Sequence, residues 1–512
     1  MFFGRHWIDS FSILRIFDAG TLEGVAPPPQ RSLLVTPYAL GRAVQSQNVN
    51  DVSHEEEFGV DAKYTVTPSL TLDLTYNTDF AQVEVDDVQI NLNRFSLFFP
   101  EKRPFFLENA GQFTVGNPEE VEFFFSRRIG IGNDGLPTPI VGGARLSGKV
   151  GRKTNVGLLH MRTDAIPGEL AQNDFSVVRV NRELENRSSL GTIFVNREAF
   201  SSAEDDYNRT YGIDGRFGFG NYGTVSGWVG ATESPGTTGD EHAYNLTVNY
   251  SSPSWSNNIA FTEVAEDFNP EVGFLRREDY RKVEGRILYR FRPENTLNLL
   301  ELRPHISYRG WWGLDGKQDT GFLHLDNHFE WRSSVEVHTG VNLTYERVRE
   351  PFELTAGVEV PVGEYNNSEL QLVFQSNKGK ALYAEMRSFH GGFFNGDRHT
   401  LRPTIRYRMG DTFSTELAWN YNRIDLPSEA ESVNINAGQL RLSYSFSPKM
   451  LLQALFQYDD RSERIGMNVR FSLLQRANAG LYLVYNEVDE MGFRKPRREF
   501  VIKYSRILDF LH

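Results

Sequence analysis

Strict alternation of apolar and polar side chains, sustained over segments of about ten residues, constrains this chain more than any other feature. Leu70, Leu72, Leu74 and Tyr76 alternate with Thr71, Asp73 and Thr75. Tyr244, Leu246, Val248 and Tyr250 alternate with Asn245, Thr247 and Asn249. Leu440, Leu442, Tyr444 and Phe446 alternate with Arg441, Ser443 and Ser445. Leu452, Ala454, Phe456 and Tyr458 follow, and Met467, Val469, Phe471 and Leu473 repeat the pattern. Successive side chains of a strand point to opposite faces, so each segment has one apolar and one polar face. Strands of soluble sheets average about 5–6 residues, whereas about 9–11 residues cross a bilayer with tilt. Lipid offers no partner to an unpaired sheet edge, so a spanning sheet must close on itself. The expected fold is all-β: a large transmembrane antiparallel β-barrel of about 20–26 strands. A large soluble all-β protein is the alternative.

The connectors fit that expectation. Short turns such as Ser447-Pro448-Lys449 and Ala477-Asn478-Ala479-Gly480 alternate with longer loops such as Pro427 to Val433 and Asp459 to Gly466. Tyr76, Trp255, Trp331, Tyr345, Trp419, Tyr421, Tyr458, Tyr485, Tyr504 and Phe510 fall near expected strand ends, as interfacial girdles require. No fixed-period repeat points to a propeller or solenoid.

Composition closes off other classes. Hydrophobic residues make up 39% and aromatics 13%, which is too aromatic for disorder. No run approaches the roughly 18 apolar residues of a membrane helix. With no cysteine, thiol catalysis and cysteine-ligated metal centres are excluded. The net charge of -13 argues against nucleic acid as a partner. The opening Met1 to Asp9 lacks the basic and apolar regions of a signal peptide. Either the mature form starts elsewhere, the chain is a fragment, or the gene start was misplaced. Residues 1–30 read as a lead-in and 31–512 as the barrel.

One region breaks the rhythm. Over residues 80–143, Phe95 to Glu108 and Phe123 to Gly130 pack charges between aromatic pairs, and Pro100 and Pro104 interrupt any regular element. So long a connection within a domain is functional or disordered, and this one is too aromatic for disorder. It is expected to fold into the lumen after the third strand as a plug or constriction; an extracellular cap is the alternative. Glu101, Lys102, Arg103, Glu108, Arg127 and Arg128 must reach water or each other. Two compatible roles follow: a transverse field that filters solutes by charge, and an ion-pair network that fixes the plug.

These same segments resemble a known family. Phe58 to Tyr64, Thr67 to Thr75, Asp79 to Glu84, Phe98 to Glu108 and Ser126 to Gly130 are similar to uncharacterised bacterial outer-membrane proteins. Gly20 to Val25 with Pro37-Tyr38, and Phe268 to Arg277, look like further landmarks. In that family a domain similar to family-9 carbohydrate-binding modules usually precedes a large barrel of unknown function. That domain is absent here, so its sugar binding is not carried over. The end also departs from the terminal Phe common in outer-membrane barrels, leaving Phe510 as the expected assembly signal.

Other motifs are weaker. Gly130-Ile131-Gly132-Asn133-Asp134-Gly135 matches a dinucleotide fingerprint formally, but Leu136-Pro137-Thr138-Pro139 follows where a helix is needed, so it reads as a turn. His54-Glu55-Glu56-Glu57 lacks a second histidine. His324 and His328 lie in an expected strand and read as structural. Asp79, Glu84, Asp86 and Asp87 read as solvated charge, since their spacing fits no calcium loop. No metal, cofactor or catalytic residue is expected. The function expected is a channel or transporter in the outer membrane of a Gram-negative bacterium, passing a small solute, with a saccharide among the candidates. Outer-membrane lipid and lipopolysaccharide are expected partners. A non-conducting scaffold anchoring a periplasmic or surface protein, and an enzyme acting on glycans or lipids, are the alternatives.

Overall fold

The computed structural model describes residues 32–77, 86–131, 138–166, 170–200, 205–294, 296–427, 432–476, 479–490 and 495–511. The lead-in over 1–30, the landmarks Gly20 to Val25 and Asp79 to Phe80 and Ala81 to Glu84, the turn at Ala477-Asn478 and Gly132 to Gly135 lie outside the described residues.

Among the described residues, one antiparallel sheet holds 25 strands. Long strands pair with their neighbours in sequence, from Leu33–Gln45 with Val52–Thr67 to Ala479–Glu490 with Arg497–Ser505. The last long strand returns to the first: Tyr504 lies opposite Ala39 and Val501 opposite Arg42. The short Leu508–Asp509 extends this seam against Val35 and Leu34. The result is a closed barrel of 24 strands with no free edge.

Alternation sorts side chains between the two surfaces. In Trp255–Val264, Ile259 is exposed while Ala260 and Thr262 are buried. Leu246 is exposed beside buried Asn245, and Val229 beside buried Trp228. Ile213, Leu325, Val341, Leu370, Leu417 and Ile502 continue the outward apolar face around the barrel. A closed sheet with apolar side chains outside and polar ones inside is stable in hydrocarbon and not in water. The protein is an outer-membrane β-barrel.

The two ends differ. Short turns join Ile140–Val150 to Thr154–Thr163, Tyr207–Phe219 to Gly223–Glu233, and Val433–Ser447 to Met450–Asp459 at one end. At the other end lie residues 164–166, 170–171, 234–241 and 265–279, together with the described part of the connection after the third strand, 86–131. In barrels of this class the short turns face the periplasm and the longer loops the exterior. Several strands outrun the membrane: Val52–Thr67 has 16 residues and Val433–Ser447 has 15, against the roughly 9–11 needed. The aromatic belt therefore does not coincide with every strand end. Trp419 sits mid-way along Phe413–Asp425, stacked with Tyr458 at 6.0 Å between ring centroids.

The connection after the third strand, Leu70–Tyr76, enters the barrel and brings its own core. Phe106, Phe113, Val121, Phe123 and Ile129 pack with wall residues Met161, Val177, Ile193 and Trp228 and with Phe268 and Val272 from residues 265–279. Phe123 needs a flat stretch of wall. Gly212 and Gly230, opposite each other in register, provide it: a Cβ at these positions would lie 2.4 and 2.3 Å from the Phe123 ring.

Two outcomes test this arrangement. Ile259→Arg should destabilise the barrel in lipid vesicles by about 2–4 kcal/mol in a denaturant titration. Gly230→Ala should expel Phe123 and raise amide hydrogen exchange across residues 121–129 while leaving the strands protected.

Candidate functional site

The inserted segment crosses the lumen and is tethered on several sides. Asp87 accepts a hydrogen bond from Arg441 at 2.6 Å, and Gln457 donates to the Asp86 carbonyl at 2.9 Å. Arg461 donates to the Asn91 carbonyl. A few residues on, Arg94 reaches Glu346 at 3.2 Å and the Arg347 carbonyl at 3.3 Å. Asp86 also pairs with Arg127, at 3.1 Å for one of the two contacts, and with Lys102 at 3.5 Å. The expectation of solvated charge is corrected at Asp86, which holds the insertion together through Arg127 and Lys102; Asp87 is exposed as expected and also pairs with Arg441 of the wall. Asp79 and Glu84 lie outside the described residues.

Glu101 and Arg103 form the knot of the segment. The Arg103 guanidinium donates to both Glu101 oxygens, at 2.8 and 2.6 Å, and to the Ile129 and Ser126 carbonyls at 2.7 Å each. Ser126 donates to Glu101 at 2.8 Å, and Arg103 lies 4.3 Å above the Phe106 ring. Pro104 opens a single helical turn, Pro104–Leu107, where its missing N–H costs nothing. Arg145, buried in the wall and paired with Asp73 at 2.7 Å, binds the Phe105 and Glu108 carbonyls. Glu108 pairs with Lys63. Burial alone would raise the Glu101 carboxyl; the hydrogen bonds and charge of Arg103, with Ser126, outweigh it and hold the carboxyl below its usual range.

The six charges singled out by sequence thus fall into separate places. Glu101 and Arg103 form one buried pair, Lys102 and Arg127 meet at Asp86, and Glu108 goes to Lys63. Arg128 stands apart, donating to the Gly273 carbonyl at 3.2 Å and lining a cavity.

That cavity, of about 1090 Å³, opens at the long-loop end. A small sheet reaches it through Leu275: Val121–Glu122 pairs with Gly116–Asn117 and with Phe274–Leu275. Its cationic lining is Arg94, Arg128, Arg197, Arg276, Arg277 and Arg349. Arg197 is held by Glu271 at 2.5 Å and by Asp206. Arg349 is held by Asp319 at 2.5 Å and Asp279 at 3.3 Å. Among the described residues, Arg128, Arg276 and Arg277 make no ion pair within 4.0 Å. Arg277 is clamped between Phe95 and Trp311, 3.4 and 4.4 Å from the ring centroids, and donates to Thr320 at 3.0 Å. Burial, together with the charges of Arg94 and Arg276 and against that of Glu346, pushes its guanidinium down to about 10. It remains a cation at neutral pH.

Sequence reading missed Arg276 and Arg277 as cavity residues, although they end the Phe268 to Arg277 landmark. The signal lies in that landmark and the insertion both being aromatic and charged: they are two halves of one mouth.

Residues 28–139 match the family described as a domain of unknown function, DUF5916. The match covers the first three strands and the inserted segment. No curated protein matches by sequence. Among solved structures, the siderophore receptor PirA from Acinetobacter baumannii shares 8% identity, with 92% of this chain and 80% of that one covered at a TM-score of 0.44. OccAB2 from Acinetobacter baumannii shares 10% identity at a TM-score of 0.31, covering 94% of this chain and 98% of that one. OpdQ from Pseudomonas aeruginosa shares 8% at 0.30, with the same coverage of 94% and 98%.

Removing Arg103 leaves the Glu101 carboxylate buried and unpaired, so Arg103→Ala should cost about 3–5 kcal/mol. The loss should appear as faster hydrogen exchange over residues 98–129 with the barrel strands unchanged. Because the Glu101 carboxyl is lowered, its contribution is fully present above the unfolded value of about 4.3 and is lost as pH falls through the folded value. Exchange over the insertion should therefore accelerate on acidification below about pH 4, and Glu101→Gln should remove that acid step.

Proposed function

We propose that the barrel recognises a small anionic solute at its external mouth and passes it inward past the inserted segment. The observation that carries this reading is the set Arg128, Arg276 and Arg277, which lines the mouth cavity without carboxylate partners among the described residues. A guanidinium pairs with carboxylate or phosphate through parallel hydrogen bonds, so these three side chains favour a solute carrying such groups, with Glu278 and Glu350 of the same lining left to face its hydroxyl or other neutral parts. The faces of Phe95 and Trp311 are occupied by Arg277 and offer no open platform for stacking a neutral sugar. Among saccharides, an acidic one suits these guanidinium groups better than a neutral one. Glu101 and Arg103 act in this reading as the clasp of the plug, and Arg128 as part of the docking surface.

In this reading the insertion shifts to let the solute pass, against its tethers to Arg441, Glu346 and Arg145 on three separate strands. Those tethers also favour the second reading, a barrel that anchors a partner and moves no solute. The enzyme alternative gains little. The Ser–His contact on strands Thr154–Thr163 and Gln172–Glu183, His160 with Ser176 at 2.9 Å, shares its face with exposed Leu158 and Val178 and not with the mouth.

In planar bilayers, D-glucuronate should interact with the wild-type barrel at least about tenfold more tightly than glucose, a difference of ~1.4 kcal/mol. Arg276→Gln combined with Arg277→Gln should erase the preference. Equal affinity for the two sugars would contradict the anionic reading. A barrel that conducts neither before nor after deletion of Phe95 to Arg128 would favour the scaffold.

A further inference from the structure

We propose that the lumen wall carries a binding site for a divalent transition-metal ion, built from His305, Asp326 and His328. The site is separate from the mouth cavity and does not depend on the solute reading. Strands Leu299–Trp312, Gln318–Trp331 and Glu336–Val348 run side by side. His305 lies opposite Asp326 in register, and His328 opposite His338. Period two places His324, Asp326 and His328 on one face. Leu325 is exposed on the lipid side, so that shared face is the interior one. A donor atom from each of His305, Asp326 and His328 lies within 4.8 Å of the others.

Two imidazoles and a carboxylate form a donor set suited to zinc, copper or nickel; calcium and magnesium prefer oxygen ligands throughout. A tetrahedral site with bonds of about 2.1 Å has edges of about 3.4 Å. Closing from 4.8 Å to those edges requires the imidazoles to rotate on their side-chain bonds. All three donors come from one wall, which leaves coordination positions open toward the lumen.

An independent observation points to a cation as the ligand of this carboxylate. The Asp326 side chain is wholly enclosed, at 0% exposure, and its Oδ1 has no hydrogen-bond partner. A buried carboxylate oxygen without a donor is costly, and a metal ion would satisfy it. Its Oδ2 is already engaged, with His328 Nε2 at 3.1 Å and His324 Nε2 at 3.4 Å. His305 is oriented for coordination. Its Nδ1 lies 3.2 Å from the Arg303 carbonyl, a contact that works only with Nδ1 as donor. The lone pair is then on Nε2, the arrangement found in metal-ligating histidines. The surroundings are braced: His338 stacks on His328 at 3.6 Å with 7° between the planes, and its Nε2 meets Glu336 at 3.2 Å. Glu336, Glu330 and Glu301 gather around Arg303 at 2.8, 3.2 and 3.8 Å and offset the positive charge of that guanidinium beside the site.

The test uses the full chain in detergent after chelator treatment, titrated with Zn²⁺ by calorimetry and with Cu²⁺ by electron paramagnetic resonance. One saturable ion per chain is expected, with nitrogen coupling in the copper spectrum. His305→Ala and His328→Ala should each weaken binding about tenfold or more. Asp326→Asn, which keeps the shape, should weaken it similarly while the heat-resistant barrel band persists. His390→Ala with His399→Ala, a histidine pair elsewhere in the barrel, should leave affinity unchanged. Absence of saturable binding, retention of affinity in His305→Ala and His328→Ala, or loss of affinity only in the His390/His399 variant would overturn the proposal.

Discussion

Backbone hydrogen bonding in a medium without water governs this structure. Each strand N–H and C=O that lies in hydrocarbon must find a protein partner, and an open sheet would leave two edges unsatisfied. The seam between Leu33–Gln45 and Arg497–Ser505 removes both edges, and Leu508–Asp509 lengthens it against Leu34 and Val35. Closure then fixes what each side chain meets. Leu246, Ile259 and Leu417 face outward, while Asn245, Thr262 and Asn422 are enclosed. The low overall hydrophobic content follows, since only one residue in two must be apolar.

Closing so many strands creates a second constraint, because a wide barrel leaves a lumen that its own side chains cannot fill. The chain meets this with the irregular segment that follows its third strand. Aromatic residues give that segment a core against the wall, seated where Gly212 and Gly230 leave room for Phe123. Charged residues supply the tethers: Arg145 to the Phe105 and Glu108 carbonyls, Arg441 to Asp87, Arg94 to Glu346. At the external mouth the same segment meets residues 265–279, and there the pairing of charges is incomplete. Arg128, Arg276 and Arg277 are left facing a cavity, which is where the proposed recognition takes place.

The barrel was legible in the sequence because alternation is a local property: Leu440 to Phe446 announce their two faces without reference to any partner. The insertion was legible as an interruption, since Pro100 and Pro104 forbid a strand. Its internal pairing was not. Nothing in the spacing of Glu101, Arg103, Arg127 and Asp86 says that the first two meet each other while Arg127 turns to Asp86. The histidines show the same limit. The spacing of His324 and His328 pointed to that pair, whereas the cluster of three donors uses His305 from the neighbouring strand. That pairing becomes visible only once the turn over residues 313–317 sets His305 opposite Asp326.

The account rests on lipid covering the outer face, and site-directed spin labelling along Trp255–Val264 in liposomes tests it most directly. Labels at Ile259 and Phe261 should be accessible to oxygen and shielded from a water-soluble nickel complex, with Ala260 and Thr262 showing neither signature. Labels at Ile259 and Phe261 that are reached readily by the nickel complex, or that are immobilised against another protein layer, would contradict it.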